Sequence, residues 1–183
     1  MSFFNWPVIG TPRFVGLGNY VSMLTKDDQF WTSLGITVKF AALFVPLNLL
    51  MALFLAMLVS RPVRGAAFFR SLFYLPSVVS SVAVAIIWGW ILHSEYGLFN
   101  YILSLLGIQG PRWLFDPHWA IVAIVITSLW GLGTMMLIFY TAIKSVPRDI
   151  YEDAYIAGAS PVRIFFSITL PLITPSLLFN LIT

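Results

Sequence analysis

Four long apolar runs restrict the fold of this chain more than any other feature. Each is at least 20 residues long, and together they contain one charged side chain, Lys39. A helix of about 20 apolar residues crosses the hydrocarbon core of a membrane. Lys39 lies near one end of its run, where its long side chain can reach the interface. We therefore predict four membrane spans, at about 34–59, 71–92, 119–143 and 164–183.

The composition supports this prediction. Hydrophobic residues make up 60% of the chain and charged residues only 9%, with a mean hydropathy of +0.92. Soluble domains carry about 25% charged residues, and a chain this apolar could not cover a water-facing surface. The predicted fold is an all-α, polytopic transmembrane helix bundle, forming a single domain over residues 1–183 with membrane lipid as a partner.

Charge and cysteine content exclude several classes of function. The net charge of +3 is spread along the chain without a basic run, so nucleic acid is not a predicted partner. The sequence contains no cysteine, which excludes a disulfide framework, a thiol nucleophile and a cysteine metal site. No acidic residue lies inside a predicted span, which argues against a proton- or sodium-coupled carrier.

The loops between the runs predict the orientation in the membrane. Because successive spans alternate sides, loops 60–70 and 144–163 share one face, and residues 1–33 and 93–118 lie on the other. Lysines and arginines mark the cytoplasmic side of a membrane protein. The first face holds six of them and is therefore predicted to be cytoplasmic in a multi-pass protein of the cell membrane: Arg61, Arg64, Arg70, Lys144, Arg148 and Arg163.

The outward connection, residues 93–118, contains apolar residues at helical spacing between Leu98 and Leu106, followed by Gly107. This pattern predicts a short helix lying in the membrane interface. His93 and His118 also lie in this connection, each near an acidic residue. A metal site or a proton relay is one interpretation, but we expect two solvated loop histidines and no metal.

Residues 144–163, here called the charged loop, predict two short helices. Ser145 and Pro147 are typical of a helix start, with Ser145 as the N-cap. Gly158 is the expected stop of that first helix. Ser160 and Pro161 then predict the start of a second helix, which continues as the last span.

The first helix of the charged loop presents small residues beside acids. Asp149, Glu152 and Asp153 fall in its first two turns, where the helix dipole favours negative charge. Ile150, Ala154 and Ala157 share one face at helical spacing. Two interpretations stay open on these grounds: the helix docks in a groove of another protein, or it rests on its own bundle.

A resemblance favours docking. The residues Glu152-Asp153-Ala154, Gly158 and Ile168-x-Leu170-Pro171 match the pattern E-A-A-x3-G-x9-I-x-L-P. This pattern is the signature cytoplasmic loop of the permease subunits of binding-protein-dependent ABC importers. Asp153 departs from it, since the pattern has Ala there. We call residues 151–171 the signature stretch.

Further stretches resemble the carbohydrate-uptake (maltose and glycerol-phosphate permease-like) branch of the same family. They read FVGLGNY at 14–20, FFRSLFYLP at 68–76 and GLFN at 97–100. Members of the family usually have six spans and the type I permease fold. The chain therefore resembles a fragment without the first and last spans.

The resemblance implies a role and a set of partners. Such a subunit would pair with a second permease subunit, dock on a cytoplasmic ATPase dimer and receive solute from an extracytoplasmic binding protein. It implies that Glu152 is a charged contact, Gly158 a bend, and Leu170-Pro171 a break in the next helix. The chain has no G-x4-G-K-[ST] phosphate loop and no catalytic constellation, so we expect a transporter subunit that is not an enzyme. ATP and Mg would bind the ATPase, with no cofactor on this chain.

The third run suggests a substrate path. Thr127, Gly131, Thr134 and Thr141 fall on one stripe of a continuous helix, beside Ser128. Asn48 is a second polar residue within a span. Polar residues in a span face protein or water, but helix packing explains them equally well.

A sugar is the predicted solute, and other functions stay open. The alternatives are a glycerol phosphate or polyamine importer, or a membrane scaffold subunit that transports nothing. An anionic phosphate would need cations in the path, and the spans contain only Lys39.

Overall fold

The computed structural model describes residues 2–7, 10–61 and 65–183. Arg64, one of the six cations that predict the cytoplasmic face, lies outside these residues. Helices form most of the described chain, which divides into two units, the first ending at Ala42 and the second covering Leu43–Thr183. Each unit is described by itself.

The first unit begins with a small hairpin. Strands β1 (Phe4–Asn5) and β2 (Arg13–Phe14) pair antiparallel, with Phe4 opposite Phe14. The Asn19 side chain, in helix α1 (Gly18–Lys26), donates hydrogen bonds to the Phe4 carbonyl at 3.1 Å and to the Ser2 carbonyl at 2.9 Å. These bonds hold the hairpin against α1.

Helix α2 (Asp28–Ser60) is the one described helix that is long and apolar enough to cross a membrane by itself. Its start is capped by Asp27, whose carboxylate accepts the N–H groups of Gln29 and Phe30 at 3.0 and 3.1 Å. The predicted span 34–59 lies within it. The sequence suggests an interruption at Pro46, but α2 continues through this residue.

The second apolar run is bent rather than straight. Helix α3 (Ala66–Tyr74) continues into a 3₁₀ turn (Leu75–Val78), and helix α4 (Ser81–Ile91) leaves it at 98°. The predicted span 71–92 includes this bend and stays a prediction. Val79, between the two parts, is extended with ψ 137°.

The third and fourth runs are also bent. Helix α6 (Pro117–Ser128) and a 3₁₀ turn (Leu129–Gly131) meet helix α7 (Gly133–Ser145) at 53°. The last run is bent by 64° between Pro161–Leu172 and Thr174–Ile182. If each bent pair counts as one span, the described residues hold up to four candidate spans by length and composition.

The core of the second unit lies where α2 meets α7. Ala52 and Ala56, one turn apart on α2, have no exposed surface, and neither do Met136 and Phe139 on α7. Small residues let helices approach closely and gain dispersion contacts. Ile173, at the bend of the last run, belongs to the same cluster, which also contains Leu53, Val59 and Val146.

The outward connection is fixed by one buried amide. The predicted short helix is confirmed as α5 (Leu98–Leu105), followed by Gly107 at φ +73°. The Asn100 side chain donates to the carbonyls of Ser94 and Pro111 at 2.8 and 3.1 Å. Its oxygen accepts the indole N–H of buried Trp113 at 2.7 Å. These bonds tie both ends of the connection to α5.

Candidate coupling loop and translocation path

The first helix of the charged loop begins later than the sequence predicts. Helix α8 spans Arg148–Ile156 with Pro147 at the N-cap position and no side-chain cap. Ser145 is instead the last residue of α7, and its hydroxyl donates to the Ala142 carbonyl at 2.8 Å. The residue before a proline is pushed out of the helical region, and Val146 is extended at ψ 126°. The predicted cap at Ser145 is therefore wrong.

The predicted stop at Gly158 is confirmed. Gly158 has φ +74°, a left-handed conformation that side chains with a Cβ adopt at a cost. The Ala159 N–H donates to the Ala154 carbonyl and the Gly158 N–H to the Tyr155 carbonyl, both at 3.0 Å. This pair of bonds is a Schellman motif, which closes the carbonyl end of α8 and turns the chain sharply.

The second helix of the charged loop starts where the sequence predicts. The hydroxyl of Ser160 accepts the Arg163 N–H at 3.3 Å, and Pro161 is the first residue of helix α9 (Pro161–Ile164). Helix α9 runs directly into a π-helical segment (Phe165–Thr169) and helix α10 (Leu170–Leu172). Helix α11 (Thr174–Ile182) follows the bend.

The break at Leu170-Pro171, implied by the resemblance, lies slightly further along the chain. The helix continues through both residues and bends at Ile173, between Pro171 and Pro175. The ring of Pro175 lacks an N–H and clashes with the carbonyl four residues earlier, that of Pro171. This pair of prolines accounts for the position of the bend.

The outer surface of α8 combines acids with exposed apolar side chains. Glu152 and Asp153 are exposed, and the structure forms no ion pair with either among the described residues. Ile156 is 86% exposed and Tyr155 60% exposed. Bare apolar surface rimmed by charge is typical of a protein-binding site. The sequence prediction used Glu152, Asp153 and Ala154 and missed Tyr155 and Ile156, although both were visible as apolar residues beside the acids.

The inner surface of α8 is anchored by Tyr151, which the sequence prediction also missed. Its ring packs against the core cluster, and its hydroxyl lies 3.2 Å from the hydroxyl of Thr169. Thr169 is 7% exposed and sits one residue after Ile168 of the signature pattern. Helical spacing from Ala154 marks Tyr151 as inward-facing, but only the fold brings Thr169 beside it.

The candidate path residues do not form one stripe. The 3₁₀ turn at Leu129–Gly131 and the 53° bend separate Thr127 from Thr134, so the predicted continuous helix is wrong. The Thr127 hydroxyl donates to the Ala123 carbonyl of its own helix at 2.9 Å. Ser128 is half-buried, and Gly131, Thr134 and Thr141 are exposed. Their role in a path stays a prediction.

Asn48 makes a contact between helices. Its amide donates to the sulfur of Met135 at 3.5 Å, across from α2 to α7. The amide of Asn180, which is 3% exposed in α11, donates to the Met135 carbonyl at 3.5 Å. The Asn180 side-chain oxygen is buried without a partner among the described residues. Asn180 is a polar residue inside a span that the sequence prediction did not select.

Aromatic rings line the region between the bend of the third run and the outward connection. Trp88 meets Trp130 and Phe99 edge-on at centroid distances of 5.8 and 6.1 Å. Phe99 in turn meets Trp113 at 5.8 Å. Trp88 and Trp130 therefore belong to a packed aromatic row rather than acting as isolated interfacial residues.

The two histidines have separate partners. The His93 ring stacks on Tyr96 at 3.5 Å, and the side chain of His118 is 92% exposed and lies 3.2 Å from Asp116. Within the described ranges, no group of three or more His, Cys, Asp or Glu residues could hold a metal ion. The geometry gives the histidines local packing and pairing roles.

These features define a membrane helix bundle with a short, sharply turned loop between its last two candidate spans. Residues 48–183 match the family described as the inner membrane component of binding-protein-dependent transport systems, and the chain belongs to that family.

Relatives extend the similarity to nearly the whole chain. The "Probable ABC transporter permease protein YesP" of Bacillus subtilis is 39% identical over 100% of this chain and 59% of its own length. The "Trehalose/maltose transport system permease protein MalF" of Thermococcus litoralis is 38% identical over 92% of this chain and 57% of its own length. This chain thus spans somewhat more than half the length of these relatives.

A solved structure shares the fold. A bacterial alginate ABC transporter, crystallised in complex with an alginate pentasaccharide-bound periplasmic protein, superposes with a TM-score of 0.81 at 25% identity. The match covers 88% of this chain and 57% of that one. The predicted all-α, type I permease fold is thereby confirmed.

Proposed function

We propose that this chain is the membrane-spanning part of an ATP-driven importer subunit for a sugar or sugar-like solute. The observation that carries the proposal is the geometry of α8. This helix is turned sharply at Gly158, exposes Glu152, Asp153 and Ile156, and is joined directly to the last apolar run. Such a helix can bind a partner on its outer surface and transmit the displacement to the membrane.

In this proposal the four apolar runs cross the membrane, three of them as bent spans. The charged loop and loop 60–70 lie in the cytoplasm, and the outward connection lies on the opposite side. The cations of the charged loop support this orientation. The exposed apolar residues of α5, including Leu98, Ile102 and Leu105, fit a helix lying in the interface.

The proposed partners follow from the family and from its relatives. A second permease subunit would complete the path, and a cytoplasmic ATPase dimer would bind α8 and hold ATP and Mg. An extracytoplasmic solute-binding protein would deliver the solute, as the periplasmic protein of the alginate transporter complex suggests. This chain would supply no catalytic residue and no cofactor site.

A neutral solute fits the apolar runs best. Lys39 is their single charged residue, whereas a phosphate ester would need several cations and a polyamine several acids. The trehalose/maltose permease relative supports a sugar. Asn48, Thr127, Ser128, Gly131 and Thr134 are the residues proposed to contact it.

The test uses the full-length complex in vesicles loaded with ATP and supplied with a panel of labelled sugars. Glu152→Lys reverses the charge on the outer surface of α8, and Gly158→Pro forbids its positive φ. We expect both variants to lose uptake and solute-stimulated ATP hydrolysis.

Two matched variants control for charge reversal and for a broken turn. Glu95→Lys reverses an exposed acid in the outward connection, and Gly107→Pro replaces a glycine with nearly the same φ, +73°. Both should retain coupling, once expression is matched. If solute-stimulated ATP hydrolysis survived Glu152→Lys and Gly158→Pro together, α8 would not be the coupling element.

A further inference from the structure

Within the described part of the chain, the Tyr151 hydroxyl forms the one side-chain hydrogen bond that leaves α8. It reaches Thr169 at 3.2 Å, 18 residues further along and on the other side of the turn at Gly158. The bond joins half-buried Tyr151 to buried Thr169. It therefore links the inner face of α8 to the last apolar run.

The segment that receives this bond is locally irregular. Thr169 is the last residue of the π-helical segment that starts at Phe165, and the Leu170 N–H donates to the Phe165 carbonyl five residues back. Single π turns inside helices are frequent at functional sites. Pro171 follows and can donate no backbone bond. The helix is thus weakly determined by its own backbone just where Tyr151 contacts it.

A cleft of about 370 Å³, open to the surface, lies beside the bond and is lined by Tyr151 and Thr169 together with Met57, Ile164 and Phe165, among others. Where side chains are tightly packed, shape alone fixes two segments relative to each other. Beside an open cleft, a directional bond between two hydroxyls has more influence on their relative position.

The bend of the last run lies four residues beyond Thr169. The Ile173 N–H donates to the Thr169 carbonyl at 3.1 Å, and the Leu177 N–H donates to the Ile173 carbonyl at 3.0 Å. A shift of Thr169 is therefore passed by backbone bonds to the residue at which the run bends by 64°.

We propose that the Tyr151–Thr169 hydroxyl pair positions the π-helical segment relative to α8, so that displacement of α8 changes the bend at Ile173. Both are positioning residues that contact neither solute nor nucleotide. The inference rests on the proposed function, because it assumes that α8 is displaced by an ATPase. It adds the particular bond through which that displacement reaches the span.

The test compares Tyr151→Phe, Thr169→Val and the double variant in the full-length complex reconstituted in vesicles. The readout is the number of labelled sugar molecules imported per ATP hydrolysed, measured on the same preparation. Each substitution removes one hydroxyl and keeps the shape of the side chain. From the typical net strength of a neutral hydrogen bond, we expect each single variant to lower this ratio by about 2- to 12-fold.

The double variant should import as much sugar per ATP hydrolysed as the single variants, because each single substitution already removes the same bond. Tyr101→Phe is the matched control, since Tyr101 lies in α5, in the outward connection, and is 61% exposed. It should keep the wild-type ratio. Thermal unfolding of each complex, measured in parallel, reports any general loss of stability.

Three results would overturn the inference: an unchanged ratio in Tyr151→Phe, an additive loss in the double variant, or uptake and hydrolysis falling together at constant ratio. None of these affects the proposed function, which fails instead if the wild-type complex shows no ATP-dependent uptake of any sugar tested.

Discussion

Gly133 lies close against the backbone of α3, and its replacement by alanine is a direct test of the bundle geometry. A Cβ at this position would collide with the carbonyl oxygen of Phe73 and would lie 2.7 Å from the Tyr74 Cα. These are backbone atoms, so no side-chain rotation can relieve the overlap. Either α7 moves away from α3 or the strain remains.

The size of the effect follows from comparison with Gly89, in α4, where an added Cβ would meet nothing within 4 Å. Alanine is favoured over glycine inside a helix by about 1 kcal/mol, a gain that applies to Gly89 within α4 more than to Gly133, the first residue of α7. Overpacking costs about 1–3 kcal/mol more, at Gly133 only. Gly133→Ala should therefore be less stable than Gly89→Ala by at least about 1–3 kcal/mol.

The assay is thermal unfolding of the purified full-length complex, with the two variants prepared side by side and followed by size-exclusion chromatography of the folded fraction. Gly133→Ala should lose folded complex at a clearly lower temperature than Gly89→Ala. If Gly133→Ala were as stable as Gly89→Ala, α7 would not lie against the backbone of Phe73 and Tyr74, and the packing described here would be wrong.

Substitutions at three further positions test local features by the same unfolding measurement. Gly158→Val should destabilise by about 1–2 kcal/mol through left-handed strain, whereas Gly158→Asn should be tolerated better; equal stability would argue against the positive φ. Ser160→Ala should cost about 1 kcal/mol by removing the N-cap of α9, and no loss would exclude that cap. Trp113→Phe should cost about 1–3 kcal/mol because it leaves the buried Asn100 oxygen without a donor, while the half-exposed Trp119→Phe serves as its control.

Local signals in the sequence predict the turn of the charged loop well. A glycine after a short helix and a Ser-Pro pair two residues later specify a stop and a start without help from the rest of the fold. The Ser145 cap fails for an equally local reason. Proline at 147 forces Val146 into an extended conformation, so α7 ends before the loop helix begins.

The bends of the last three runs could not be predicted from hydropathy, which reports only that a segment is apolar. A run interrupted by Pro171 and Pro175, or by Gly131 and Gly133, has the same mean hydropathy whether straight or bent. Which interruption bends the chain depends on what packs beside it. Pro46 shows the opposite case, since α2 passes through it unbroken.

The Tyr151–Thr169 contact could not be predicted from the sequence for a different reason. Each residue is unremarkable within its own segment, and the pair forms only because the turn at Gly158 folds α8 back beside the π-helical segment. The same holds for Asn180, whose buried amide meets the backbone of Met135, 45 residues earlier. Tertiary pairs of this kind need the fold before they can be named.

Crosslinking tests directly whether α8 contacts an ATPase, as its proposed coupling role requires. Residues 1–183 contain no cysteine, so Glu152→Cys and Gln109→Cys each introduce a single thiol into this part of the protein, on the proposed cytoplasmic and outward faces respectively. Each can carry a photoactivated crosslinker in the full-length complex. If α8 is the coupling element, the label at 152 crosslinks to the ATPase subunit and the label at 109 does not. A label at 152 that never reaches the ATPase, or one at 109 that does, would contradict that role.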